Sequence, residues 1–531
     1  MMTTMHLESI PGFHPFFIES TQSEVDIHID AQTAMRAERL GPIAGSIIAQ
    51  TMQNLPLSEK QKNGLDALLN GKAIAMITGQ QPGFLGGPLY SLYKAMSCIA
   101  LAEQHSTDKV PIVPIFWIED NDHDGMEAGI ASIIDQSGSM HTLHCDNMHE
   151  LQSPIPIHER IFSDHVLSVM ETISEQLPNS EYGQAILHQI QEVYTPGKNW
   201  SESFLEYMQE HCGEFGLLFF SSSIARKEGC FKERILHEIS HAGELQQLVL
   251  EKNAILIARG MKIQAEAGVI NAFYHNQHGR HKIDIDENGN VLLASDSVTK
   301  DECIDLILAH PEQFSPSVLL RPLIQDSIIP TIGMIVGPGE YGYMSQLEQA
   351  YSSLMIPMPQ LHGRHSATIL IPSIAKYLSK HELEAHFFMR IMNEIERDLS
   401  LRFAHDAESD AMIGKLRLMI HEELSAISNH AKSIDSSLLG MVSATEHGIE
   451  KLIDGMEKKI ISAIKKKQDM LFGKASETHD WIYPHNQLQE RVLSSVSIEA
   501  KIGKDKFRDI LNIIKDAPRD KHLLIDVNAF P

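Results

Sequence analysis

The segment Ala73–Ile118 constrains the fold of this chain more than any other. An apolar run, AIAMIT (Ala73–Thr78), stops at a turn rich in glycine, Gly79-Gln80-Gln81-Pro82-Gly83-Phe84-Leu85-Gly86-Gly87. A helical pattern opens at Pro88, with Leu89, Tyr93, Met96 and Ala100 on one face, and VPIVPIFWI (Val110–Ile118) then reads as a buried strand. Proline suits a first helical position because its missing N–H would have had no intrahelical partner there. Strand, turn, helix and strand in this order form a βαβ unit, which requires a parallel sheet. Pro111 and Pro114 push the second strand toward an edge or a bulge, since proline cannot donate to a ladder. The fold class that follows is α/β, with a Rossmann-like parallel-sheet core.

Further strands are expected at Phe215–Ser221, Gly268–Tyr274, Thr331–Val336 and Leu354–Pro359. Ile283–Ser295 reads as a hairpin turning at Glu287-Asn288-Gly289-Asn290, because Asn-Gly is a hairpin turn signal. The core is expected over 1–380, with insertions at about 130–200 and 240–310. No proline falls between Pro372 and Pro484. Inside that interval Leu424, Ile427, Ala431, Ile434, Leu438 and Met441 alternate spacings of three and four. After a slip near Gly448, Ile449, Ile453, Met456, Ile460 and Ala463 resume the pattern. Such heptads specify a coiled-coil seam that tolerates a stutter. The expectation is a helical arm over 381–475 that joins two copies in a homodimer, followed by a helical segment over 476–531 that packs back on the core.

Charge and cysteine usage narrow the partners. With 44 Lys and Arg against 70 Asp and Glu, the formal charge of −26 opposes binding to a phosphate backbone, so no nucleic acid is expected. The five cysteines form no CxxC pair, which suits free thiols in a reducing compartment. The start of the chain lacks the pattern of a signal peptide, and no apolar run is long enough to span a bilayer. No membrane partner and a cytoplasmic location are therefore expected. The histidines look dispersed, and no metal ligand is assigned.

Three polar turns, each after an apolar strand, are candidates for chemistry, because ligands of open parallel sheets bind beyond the carboxyl ends of strands. The first is Gly79, Gln80, Gln81, Gly83, Gly87, Pro88 and Tyr90. A glycine-rich loop entering a helix aims several N–H groups at one point, which suits phosphate or carboxylate. Lys94, two turns into that helix, reads as packing. The second is the run Glu119-Asp120-Asn121-Asp122-His123-Asp124 after Trp117, where Asp122, His123 and Asp124 are the catalytic candidates. The third is Gly337-Pro338-Gly339-Glu340, followed by Tyr343; Glu340 could equally be a helix cap. Arg321, Gln325 and Arg364 are candidates for anion recognition, although an arginine can equally serve a structural ion pair.

At these residues the chain resembles the cysteine ligases of bacillithiol biosynthesis, the BshC family. The resemblance rests on GQQPGFLGGPLY (Gly79–Tyr90), VPIFW (Val113–Trp117), DHD (Asp122–Asp124), RPLIQ (Arg321–Gln325), IPTIGMIVGPGE (Ile329–Glu340), Tyr343 and Arg364. It implies that cysteine is joined through an amide to the amine of glucosaminyl-malate, and that the core is similar to class I aminoacyl-tRNA synthetases with a coiled-coil dimerisation arm. An acid such as cysteine must be activated before an amine attacks it; ATP with magnesium is the expected source, which by placement would put phosphate at the Gly79–Pro88 turn and leave His123 to take a proton from the amine. The chain has no His-x-Gly-His or Lys-Met-Ser-Lys-Ser string, and Asn121 stands where the family often carries Glu. Zinc is not expected. The rival readings are a non-catalytic dimeric scaffold and a nucleotidyltransferase-type ligase for another acid and amine.

Overall fold

The computed structural model describes residues 2–22, 30–403, 407–467 and 469–529. It divides into two compact units, Met1–Pro372 with Gln487–Pro531, and Ser373–Asn486.

In the first unit eight strands matter for the site: β1 (Met2–His6), β2 (Ile74–Gln80), β3 (Ile112–Ile118), β4 (Leu218–Ser221), β5 (Thr331–Val336), β6 (Gln360–Gly363), β7 (Ser366–Leu370) and β8 (Lys521–Asp526). Five of them make a parallel sheet in the order β6-β5-β2-β3-β4. β2 is buried along nearly its whole length, as a strand covered on both faces must be. Helix α1 (Tyr90–His105) crosses over between β2 and β3 and buries Leu92, Tyr93, Met96, Cys98 and Ile99.

β3 is an interior strand, not an edge. Its ladder with β4 begins only at Ile115, one residue past Pro114, so the missing N–H interrupts no bond to that neighbour. Three expected strands shift. The first, expected from Phe215, starts at Leu218, after a left-handed Gly216 at φ 92°. The second lies at Ala272–Asn276 in a small antiparallel sheet outside the core. The third, expected at Leu354–Pro359, begins only at Gln360, after Pro357 and Pro359, neither of which can donate to a ladder. The hairpin forms as expected, with Asp284–Ile285 antiparallel to Val291–Leu293 and Gly289 at φ 84°.

The insertion after β3 holds an apolar cluster of its own, including Ile133, Phe162, Met170, Ile190 and Trp200. Helices α2 (Lys232–Ser240) and α3 (Glu244–Ala258) follow β4, and α4 (Arg321–Ile328) and α5 (Pro338–Ser345) flank β5 and carry residues of the site. The expected helical segment 476–531 also contains a strand, β8. β8 pairs antiparallel with β1 and parallel with β7, tying both ends of the chain into one three-stranded sheet. All five cysteines are free.

The second unit is helical. Helices α6 (Ala407–Ile434) and α7 (Leu439–Lys467) fold back on each other as a hairpin, crossed by ion pairs from Arg417 to Glu450, Asp454 and Glu457. The heptad pattern is thus broken at 435–438, where the Asp435 side chain accepts the Ser437 N–H, and not at Gly448, which lies inside α7. Leu424, Ala431, Val442 and Ile453 are buried, whereas Ile427, Ile434, Met441 and Met456 of the expected seam are exposed. The Ala463 side chain lies outside the described residues. No described helix is long and apolar enough to cross a membrane.

Candidate active site

A cavity of about 340 Å³ opens at the carboxyl ends of β2, β3 and β5. Gly79, Gln80 and Gln81 reach it from the end of β2, Trp117, Glu119 and Asp122 from the end of β3, and Gly337, Gly339, Glu340 and Tyr343 from β5 and α5. Tyr90, Arg321 and Arg364, also expected, line it as well. Lys94, Glu127 and Arg491 also line it, so four basic and four acidic side chains face one space.

Lys94 is not mere packing. Its ammonium, 1% exposed, lies 2.7 Å from Glu340, contacts the Gly79 carbonyl, and donates to Gln80 Oε1 at 3.2 Å. Burial pushes this ammonium below its usual range, and the Glu340 carboxylate pulls it back. Glu340 also accepts the Gly337 N–H at 2.9 Å, so the cap and the ion pair are the same carboxylate. Arg321 donates to Gln325 Oε1 at 2.7 Å and to the Tyr343 hydroxyl at 2.9 Å. Burial opposes the Arg321 charge, but Tyr343, Glu119 and Glu340 outweigh it and hold the guanidinium firmly protonated. Gln325 is fully buried and does not line the cavity; it orients Arg321. Arg364 pairs with Glu490 at 2.7 Å, with side chains 2% and 0% exposed, and lies over the Tyr90 ring. Burial pushes the Tyr90 hydroxyl up to about 12.

The polar run after β3 divides its labour. Asp120 turns inward to accept from Ser221, Ser222 and Ser223, and Asn121 is buried and accepts from Arg226 Nε at 2.7 Å. Glu119 accepts from Trp117 Nε1 at 2.8 Å, and burial raises its carboxyl, against the pull of Arg321. Asp122 contacts Gln81 and pairs with Arg280 at 3.1 Å. Two of the three catalytic candidates lie outside the cavity lining. Asp124 caps a short helix by accepting the Glu127 N–H at 2.9 Å. His123 sits 3.3 Å from Arg280 and near the Phe273 ring, and burial, then Arg280, lower its basicity.

Of the glycine turn, Gly83, Gly87 and Pro88 do not line the cavity, unlike Gly79, Gln80 and Gln81, which corrects their expected place in it. Phe84 and Leu85 plug the apolar cluster, Leu85 with a left-handed φ of 52°. Four N–H groups of the turn and helix start are taken: Gly86 donates to the Tyr194 hydroxyl, Gly87 to the Phe84 carbonyl, Leu89 to the Leu493 carbonyl and Ser91 to the Pro88 carbonyl. Gly83 is glycine because a Cβ there would lie 2.7 Å from the Gly87 Cα. An anion in the cavity meets side-chain cations instead. Lys94 stands on the same helix face as Tyr90, which is the one signal that could have drawn it into the site; Arg491 is marked by the polar string Gln489-Glu490-Arg491, which could border a pocket.

A parallel Rossmann-like sheet with a mixed-charge cavity at its strand ends, on a chain that also carries a helical-hairpin unit, defines the class of protein. Residues 6–365 match the family model of the bacillithiol biosynthesis BshC N-terminal Rossmann-like domain, and residues 367–527 that of the BshC C-terminal coiled-coil domain. The chain belongs to the BshC family. It is 26% identical over 528 residues to the Chlorobium phaeobacteroides protein named "Putative cysteine ligase BshC", spanning 96% of this chain and 93% of that one. Proteins of the same name from Salinibacter ruber (26% over 470 residues, 87% and 85%) and Lysinibacillus sphaericus (26% over 453 residues, 84% and 83%) are also similar.

Proposed function

We propose that this chain is a ligase of bacillithiol biosynthesis that joins the carboxyl of L-cysteine through an amide to the amine of glucosaminyl-malate. The observation that carries the reading is the cavity itself, which collects four cations and four carboxylates at three parallel strand ends. Its volume of about 340 Å³ suits a small polar substrate. Malate carboxylates would be met by Arg321, Arg364 and Arg491, and the cysteine ammonium by Glu119 and Asp122. Tyr90, Trp117 and Tyr343 would wall the pocket, with Gly337 and Gly339 allowing close approach of backbone.

A carboxylate and an ammonium do not condense unaided in water, so the acid needs activation, and ATP with magnesium is the proposed source. The attacking amine must then lose a proton. Glu127, whose carboxyl is raised by burial and by Asp124 and Asp122, is placed at the cavity to accept it, in preference to His123. The proposal extends to assembly. Met412, Leu416, Met419, Ile427 and Ile434 leave a second apolar stripe exposed on α6, at spacings that suit a second copy of the arm.

The test mixes the purified chain, L-cysteine, glucosaminyl-malate and ATP with magnesium, and reads the thiol product by mass. The expected product appears only when all four are present. Its absence, together with normal bacillithiol in a host lacking the gene, refutes the reading.

A further inference from the structure

The string His237-Glu238-Ile239-Ser240-His241 contradicts the reading of the histidines as dispersed, for it has the His-Glu-x-x-His form in which two imidazoles share a helix face. His237 lies in the last turn of α2 and His241 caps it. Their rings stack with centroids 4.3 Å apart. Gly243, left-handed at φ 88°, then reverses the chain, so that Glu244 opens α3 beside them. One ligand atom from each of His237, His241 and Glu244 lies within 4.8 Å of the others.

The surroundings already orient two of the three. His241 Nδ1 lies 3.1 Å from the His237 carbonyl, which leaves Nε2 as the free lone pair. A second partner that fixes the tautomer of a ligating imidazole is a recurring device of metal sites. Ser353 Oγ donates to Glu244 Oε1 at 3.0 Å, leaving the other oxygen. A cavity of about 20 Å³ adjoins the group, floored by Leu245, Leu320 and Leu323. That space admits an ion or a water, and no peptide.

We propose that His237, His241 and Glu244 bind one divalent transition-metal ion of the zinc class, with water as fourth ligand, and that this site clamps the α2–α3 turn without hydrolysing a substrate. Two imidazoles and a carboxylate are a zinc donor set, and bonds of ~2.0–2.1 Å require only that the side chains close in by rotation. In hydrolases of this motif the Glu between the histidines activates the metal-bound water. Here Glu238 is buried, and its Oε1 accepts from Asn271 N at 2.7 Å and Nδ2 at 2.9 Å. That carboxylate holds the loop before the small antiparallel sheet. The site is separate from the strand-end cavity, with which it shares no lining residue.

The full chain, stripped with a chelator and dialysed, is titrated with Zn²⁺ against a chromophoric competitor. One ion per chain is expected, unaffected by excess Mg²⁺. His237→Gln and His241→Gln should each weaken binding by about 100-fold or more. Co²⁺ should give visible absorption bands in the parent that His241→Gln lacks. His241 is exposed, so the metal-free variant should melt with the metal-free parent, which separates loss of ligand from loss of fold. No stoichiometric Zn²⁺, or unchanged binding in both variants, overturns the site. Zinc-dependent casein cleavage by the parent, lost in Glu238→Gln, overturns the non-hydrolytic assignment.

Discussion

Glu340→Gln tests whether Lys94 is held as a buried cation. Glutamine keeps an acceptor for the Gly337 N–H but removes the counter-charge 2.7 Å from the ammonium. Removing one partner of a fully buried pair costs about 3–5 kcal/mol. Glu340 is 21% exposed, so water screens part of the loss and ~2 kcal/mol is expected, roughly 4 °C of melting temperature. The sign of the pH dependence follows from Lys94, whose folded value lies below its unfolded one. Without Glu340 the ammonium falls further, so the variant's extra penalty is full below its own folded value and fades as pH rises toward the parent's, which itself lies below the ordinary lysine value of about 10.4; the variant should thus recover stability, relative to the parent, between pH 7 and pH 10. Adding Lys94→Met removes the orphaned charge and should restore most of the loss. Melting of the parent, both single variants and the double variant at the two pH values measures all of this. A double variant less stable than Glu340→Gln alone, or a loss independent of pH, refutes the buried-cation account.

Arg364→Ala leaves the Glu490 carboxylate unpaired at 0% exposure and should destabilise by ~3–5 kcal/mol, read by urea unfolding. Asp122→Asn, in the cavity lining, should reduce ligase turnover at least about tenfold, whereas His123→Ala, outside it, should reduce turnover less; steady-state kinetics on both decide. Ile427→Glu puts a charge on the exposed stripe of α6 without touching the buried hairpin seam, so light scattering should show a shift from dimer to monomer at unchanged helicity.

The sheet and its three polar turns are legible in the sequence because both signals are local. An apolar run that ends in a polar turn marks a strand end, and a parallel sheet gathers strand ends on one side. What each turn does there is set by residues far along the chain. Of the N–H groups that would suit an anion, Gly86 is taken by Tyr194, Gly87 by its own turn, and Leu89 at the helix start by Leu493. The Leu493 contribution arrives from about the far end of the sequence, through a segment that the second unit interrupts. The same segment supplies Glu490 to neutralise Arg364 and Arg491 to the cavity.

The heptads are legible only in part for a related reason. A spacing of three and four states that one helix face is apolar, but not whether its partner is another chain or the next helix. The polar stretch Asp435-Ser436-Ser437 settles that choice in favour of a hairpin, because Asp435 captures the Ser437 N–H and ends the helix. Burying Leu424 and Ala431 of α6 and Val442 and Ile453 of α7 within the hairpin then leaves the other face, with Ile427 and Ile434, exposed. One periodic pattern therefore fills a seam inside the chain and leaves a second apolar face exposed, the face that the proposed dimer would cover.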